Sequence, residues 1–255
     1  MIATTAEEKA ILREGGTRLA TYLKELAGMV RPGITSKELE EHARAIVAKG
    51  GDTPAFLGYS ERKLPSYPAA LCLSVNDVIV HSPAATNDVT IQDGDIVCLD
   101  FGIWHEGLCT DHAVTVIAGT KRDPEDVRML RAAEEALAAG IAEARVGKTT
   151  GDIGYAVEKV ARRERLGYPK NLSGHGVGKA VHEEPHVPNY GAPGTGDELV
   201  EGLVIAIEPM FTLGSGDLVV DKDGFSYKTK DKSRTAHMEH TVMITADGPE
   251  ILTLP

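Results

Sequence analysis

The chain has 255 residues, 42% hydrophobic and 25% charged, the composition of an ordinary globular protein rather than a disordered or fibrous one. Its formal charge of −11 gives no diffuse attraction for nucleic acid phosphates or an anionic membrane, and no apolar run approaches the length that spans a bilayer. Met1 to Gly15 carries Glu7, Glu8 and Glu14 where a signal peptide would be basic and then apolar, so a cytoplasmic location is expected. Cys72, Cys98 and Cys109 form no CxxC pair and read as small core residues in a reducing compartment.

In chain order, Leu12, Leu19, Leu23, Leu26 and Val30 fall on one face of a long helix over Thr5 to Val30. Arg31-Pro32-Gly33 ends it, and Thr35 with Glu38 forms a capping box for a second helix that turns Leu39, Ala43, Ile46 and Val47 inward. Gly94 to Asp100 reads as a buried strand ending in a carboxylate, and Asp111 to Ile117 as a strand beginning with one. Val127, Leu130, Leu137 and Ile141 then give a third helix. Arg145 to Thr150 repeats Arg31 to Ser36 at an offset of 114, and Ile153, Val157 and Val160 follow as a fourth helix. Gly202 to Glu208 repeats the first strand at an offset of 108, and Glu239 to Thr245 repeats the second at 128. Three ordered matches indicate a duplicated helix-helix-strand-strand unit. The fold expected is a single pseudo-symmetric α+β domain over residues 1–255, with halves of about 5–120 and 121–250. Tyr190 to Asp197 and Leu213 to Asp217 are turn-rich loops within it rather than linkers.

If the strand pairs meet about the pseudo-axis, Asp100, Asp111, Glu208 and Glu239 converge. Four buried like charges repel, and a pair of divalent cations with bridging carboxylates neutralises them efficiently. Oxygen-rich ligands suit Mn, Fe, Co or Zn at five or six coordination better than a thiolate zinc site. His175, presented by Ser173-Gly174-His175-Gly176-Val177-Gly178, is the imidazole candidate. His182-Glu183-Glu184-Pro185-His186 has the HExxH spacing, but Pro185 and Pro188 forbid the helix that would place both histidines on one face, so the segment is expected to be extended. Gly147-Lys148-Thr149 and Gly178-Lys179-Ala180 both fail as phosphate loops.

These residues resemble the type I methionine aminopeptidases over nearly the whole chain. The resemblance rests on Ser74-Val75-Asn76-Asp77-Val78-Ile79-Val80-His81, on Asp100 and Asp111, and on Gly174-His175-Gly176-Val177-Gly178 followed by His182-Glu183-Glu184-Pro185. Ile207-Glu208-Pro209-Met210 and Met238-Glu239-His240-Thr241 complete it. It implies the pita-bread (creatinase/aminopeptidase-like) fold around a central antiparallel sheet, and removal of N-terminal methionine from nascent polypeptides. It also implies two divalent ions per chain: Asp111 and Glu239 bridging, His175 and Glu208 completing one, Asp100 chelating the other. Glu208 would relay the proton of the attacking water, His182 would hold the scissile peptide group, and His81 would bond the substrate near the scissile nitrogen. Tyr67, Cys72 and Phe225 can wall a thioether pocket. The carbonyls of Asn76 and Val78 with Thr235 match a monovalent cation site of relatives. His112 and His240, beside ligands on alternating strand positions, are expected to point away. A monomer is expected, and transient ribosome association is left open.

His81-Ser82-Pro83-Ala84 departs from the family's usual His-Gly-Ile-Pro, and Val181 replaces a common aromatic, which predicts a thinner pocket wall. An Xaa-Pro peptidase of the same fold is the first alternative, disfavoured by the missing N-terminal domain and added histidine motif. A non-enzymatic binding protein of this fold is the second, disfavoured because every ligand position is filled.

Overall fold

The computed structural model describes residues 1–60 and 65–255. Helix α1 (Ala6–Met29) begins at Thr5, whose hydroxyl accepts from the Glu8 N–H at 3.1 Å while the Glu8 carboxylate accepts from the Thr5 N–H at 3.1 Å. Thr35 and Glu38 repeat this box at the start of α2 (Ser36–Gly50). The strands β1 (Thr53–Pro54), β2 (Leu71–Val75), β3 (Val78–Val80), β4 (Ile96–His105) and β5 (Leu108–Ile117) complete the first half. The second half opens with α3 (Pro124–Glu143), capped by the Asp123 side chain, and α4 (Thr150–Glu164), where Asp152 accepts from the Thr149 N–H at 2.9 Å. It continues with β6 (Ser173–Gly176), β7 (Glu183–Pro188), β8 (Val204–Ile207), β9 (Met210–Thr212) and β10 (Leu218–Val220). The last strands are β11 (Tyr227–Thr229), β12 (Thr235–His237), β13 (Glu239–Thr245) and β14 (Gly248–Ile251).

The duplication extends to individual hydrogen bonds. Gly33 N–H donates to Ile91 O at 2.8 Å, and its counterpart Gly147 N–H donates to Leu199 O at 3.0 Å. Both glycines hold positive φ, +90° and +80°, where a side chain would be strained. Thr35 bridges Thr90 just as Thr149 bridges Glu198.

A nine-stranded sheet runs β1-β4-β5-β13-β8-β6-β7, with β2 on β4 and β14 on β13. Its central seam is the antiparallel β5–β13 pair, which joins the two halves. Helices α1 and α2 cover Leu99, Phe101 and Ile103 of β4, and α3 and α4 cover Ile205 and Ile207 of β8. The sheet face away from the helices therefore carries the alternate residues, beginning with Asp100. No helix among the described residues is long and apolar enough to cross a membrane.

The two acid-bearing strands are longer than the sequence pattern indicates. β4 continues five residues past Asp100, and β5 begins three before Asp111, in one hairpin that pairs Ile103 with Thr110 and Trp104 with Cys109. Its turn is Glu106-Gly107, both at positive φ (46° and 84°), the two-residue geometry that matches strand twist. Asp100 and Asp111 thus stand inside a rigid ladder rather than at strand ends. The segment holding Pro185 is extended, as expected.

On β6 the glycines flanking His175 permit a close approach: a β-carbon on Gly174 would lie 2.3 Å from Ala206 O of β8. Gly174→Ala is expected to cost about 1–3 kcal/mol through forced separation of β6 from β8. Urea unfolding would show this as a lowered midpoint, and an unchanged midpoint would contradict the close packing.

Candidate metal centre

Strand register brings the acids together. Asp100 of β4 and Glu239 of β13 both pair with Ala113 of β5, and Asp111 lies two residues from Ala113, so all three side chains leave the same sheet face. His175 pairs with Ala206, which pairs with Thr241, two residues from Glu239, so the imidazole joins that face. Ile207 pairs with His240, which sets Glu208, one residue past β8, opposite Glu239. His112 and His240 fall on the other face, stacked at 4.6 Å, with His112 Nδ1 bonded to Glu239 O (2.5 Å) and His240 Nδ1 to Thr253 Oγ1 (2.8 Å). Burial holds their rings neutral, His112 down to about 3 and His240 to about 4.

The five residues are each no more than 8% exposed. His175 Nε2 lies 3.6 Å from Glu208 Oε1 and 3.9 Å from Asp111 Oδ2. Burial, and then the charges of Asp111 and Glu208, push the Asp100 carboxyl well above its ordinary value. Burial and the neighbouring acids do the same to Glu239, and burial with the Glu208 charge raises Asp111 to about 7. Glu208 runs the other way: burial raises it, but the His237 imidazole beside it and the further histidines hold it below the carboxylate range. Burial, reinforced by His182, lowers His175 to about 4 and leaves its ring a neutral donor atom. His175 Nδ1 bonds Gly176 O at 2.9 Å, which directs the Nε2 lone pair at the acids.

Among the described residues, the nitrogens within ion-pair distance of these carboxylates are imidazoles, not lysines or arginines. Glu239 Oε1 is buried with no hydrogen-bond partner, and Asp111, His175 and Glu239 can each aim a ligand atom at one point. This donor set fits hard or borderline divalent cations.

The cluster floors a cleft of about 560 Å³. His81, at φ 61°, packs edge-on to Tyr227, and His182 packs edge-on to His175 at 4.4 Å with its Nδ1 2.8 Å from the Tyr59 hydroxyl. Tyr67, Cys72 and Phe225 line the cleft, Tyr67 with its hydroxyl 2.9 Å from Cys72 Sγ and its ring edge-on to Phe225. All three cysteines are buried and free. Val181 is buried in the apolar cluster behind the cleft, while Phe56 and Tyr59 form the wall. The His81-Ser82-Pro83-Ala84 loop is tied to β2 by a Leu73 N–H to Ser82 O bond of 2.9 Å. Thr235 Oγ1 meets the carbonyls of Asn76 (3.0 Å) and Val78 (2.9 Å), so those three residues do converge.

Sequence reasoning missed Phe56, Tyr59 and His237. Nothing in the local pattern marks the two aromatics, which lie before β2. His237 stands two residues before Glu239, but Met238 separates β12 from β13, so strand alternation alone does not place it.

The sequence profile of metallopeptidase family M24 matches residues 10–246. The chain belongs to this family and is a hydrolase. It is 45% identical over 250 residues to a methionine aminopeptidase of Aquifex aeolicus, covering 95% of this chain and 94% of that one. Methionine aminopeptidase 1 of Mycobacterium tuberculosis is 39% identical over 256 residues, covering 98% and 94%. A crystal structure of methionine aminopeptidase from Thermotoga maritima superposes with a TM-score of 0.94 at 36% identity, covering 100% of both chains. The fold is the pita-bread fold.

Because Asp111, Asp100 and Glu239 bind protons more tightly folded than unfolded, their protonation stabilises the metal-free protein at acid pH. That contribution is lost as pH rises from about 4, the unfolded value, through about 7 for Asp111. Cations replace the protons, so the melting-temperature gap between manganese-loaded and metal-free protein should widen from about pH 5 to 8. Parallel thermal scans check this, and a gap independent of pH would contradict it.

Proposed function

We infer that the protein removes the N-terminal methionine of nascent polypeptides and peptides by metal-dependent hydrolysis of the first peptide bond. The observation that carries this is a buried cluster of four carboxylates and an imidazole flooring a cleft with a soft, aromatic wall, which suits an unbranched thioether.

Asp111 and Glu239 would bridge two divalent ions (Co, Mn, Fe or Zn), with His175 and Glu208 on one and Asp100 on the other. Bound there, the ions supply Lewis-acid polarisation of the scissile carbonyl and of water. Phe56, Tyr59, Tyr67, Cys72 and Phe225 receive the methionine side chain and exclude water around it. Asp100 would hold the second ion, which would take the substrate's free, unprotonated N-terminal amine. Glu208, ionised in the free protein, takes a proton from the attacking water and passes it to the departing amine as the C–N bond breaks. His182, its Nδ1 tied to the Tyr59 hydroxyl, presents Nε2 to the scissile peptide group. His81 bonds the substrate near the leaving nitrogen. A monovalent cation would take the Asn76 and Val78 carbonyls with Thr235. With a charge of −11 the chain has no diffuse attraction for ribosomal RNA, which agrees with no more than transient ribosome association.

Release of the first residue from Met-Ala-X, Leu-Ala-X and Ala-Pro-X peptides, by metal-stripped protein with and without added Mn, Co, Fe or Zn, tests this reading. Metal-dependent release confined to Met-Ala-X is expected. Cleavage only before proline, or none with any metal, would overturn it.

Two substitutions separate ligand from substrate contact. Glu239→Ala is expected to lose metal and activity together, whereas His182→Ala keeps its metal and loses about 10²-fold in turnover. Metal analysis alongside initial rates checks both, and a metal-loaded, active Glu239→Ala would contradict the bridging role.

A further inference from the structure

His237 belongs to none of the roles above. It ends β12 at 1% exposure, and its backbone is clamped by one hydroxyl: Thr115 Oγ1 donates to His237 O at 2.5 Å and accepts from its N–H at 3.0 Å. The clamp leaves His237 Nε2 3.3 Å from Glu208 Oε2 and 3.6 Å from Glu239 Oε2. Glu208 therefore stands between two imidazoles, His175 facing Oε1 and His237 facing Oε2.

The second ring nitrogens distinguish the two. His175 places its proton on Nδ1, against Gly176 O, and offers a bare Nε2. Neither His237 ring nitrogen completes a hydrogen bond; Nε2 has Glu208 Oε2 at 3.3 Å, whereas no such contact is found at Nδ1. A proton there would be an orphaned buried N–H, which is rarer in proteins than an unused acceptor and costs its full desolvation. The proton of His237 therefore sits on Nε2, where a small ring rotation completes a bond to the carboxylate. A nitrogen carrying a proton is not a metal ligand, although Glu208, His237 and Glu239 are close enough to hold an ion.

We propose that His237 is a positioning residue that donates Nε2–H to Glu208 Oε2, fixing that carboxylate so that Oε1 faces the cation shared with His175. This rests on the divalent-metal reading above. Losing such a partner of a ligand weakens metal binding by about 10–100-fold.

The test titrates metal-free protein with Co²⁺, followed by calorimetry and visible d–d absorption, for wild type, His237→Leu and His237→Gln. His237→Leu should bind Co²⁺ about 10–100-fold more weakly, and His237→Gln, which restores an N–H donor, should return to within a few-fold of wild type with an unchanged spectrum. Cobalt-edge X-ray absorption of the wild type should count a single imidazole over the two ions, and this needs no variant to fold. Two imidazoles, or a His237→Gln spectrum altered as much as that of His237→Leu, would make His237 a ligand and overturn the proposal. Unchanged affinity in His237→Leu would reduce it to a space-filler. Wild type that takes up no cobalt would overturn the metal reading first, and this proposal with it.

Discussion

Four carboxylates face one another on one side of the sheet, buried, and among the described residues no lysine or arginine pairs with them. Burying unpaired charge is among the costliest arrangements in a protein, and it persists only where protons or cations compensate. Much of the rest of the structure serves to hold those groups at fixed positions. The β4–β5 hairpin carries Asp100 and Asp111 in a ten-residue ladder. Thr241 Oγ1 clamps Asp111, donating to its carbonyl at 2.6 Å and accepting from its N–H at 2.9 Å, and Thr115 holds His237 in the same way from the neighbouring strand.

The duplicated architecture explains why the acids meet. Each half contributes a helix pair that covers one face of its strands with Leu, Ile, Val and Ala, leaving the opposite face unpartnered by helix. Joining the halves along β5–β13 places the two uncovered faces side by side and creates one concave surface. His175 arrives from β6, brought within reach because Gly174 admits the β8 backbone. The aromatic wall comes from segments outside the repeat, Phe56 and Tyr59 before β2 and Phe225 before β11. The repeated core therefore supplies the buried acids, and the added segments supply the aromatic wall of the cleft.

Much of this was legible in the residues. The capping box at Thr35 and the glycines after each long helix mark the helices because their hydrogen bonds are local. The acid cluster was legible because a carboxylate inside an apolar strand is costly to bury, and four of them at matching places in a repeat require a shared neutralising charge. What escaped depends on partners far away in sequence. The extension of β4 past Asp100 is set by pairing with β5, and the hairpin turn at Glu106-Gly107 carries only one glycine as a signal. Tyr59 meets His182 across 123 residues, a contact no local pattern encodes. His237 escaped for the same reason: it ends a separate strand, β12, whose pairing with β9 no local pattern encodes.

Anomalous diffraction from crystals grown with Mn²⁺ addresses the central claim most directly, because it locates cations without reference to activity. Two peaks are expected among Asp100, Asp111, His175, Glu208 and Glu239, with Asp111 and Glu239 touching both. An ordered cluster with no anomalous peak at saturating Mn²⁺, or peaks confined to the exposed acidic surface, would contradict it.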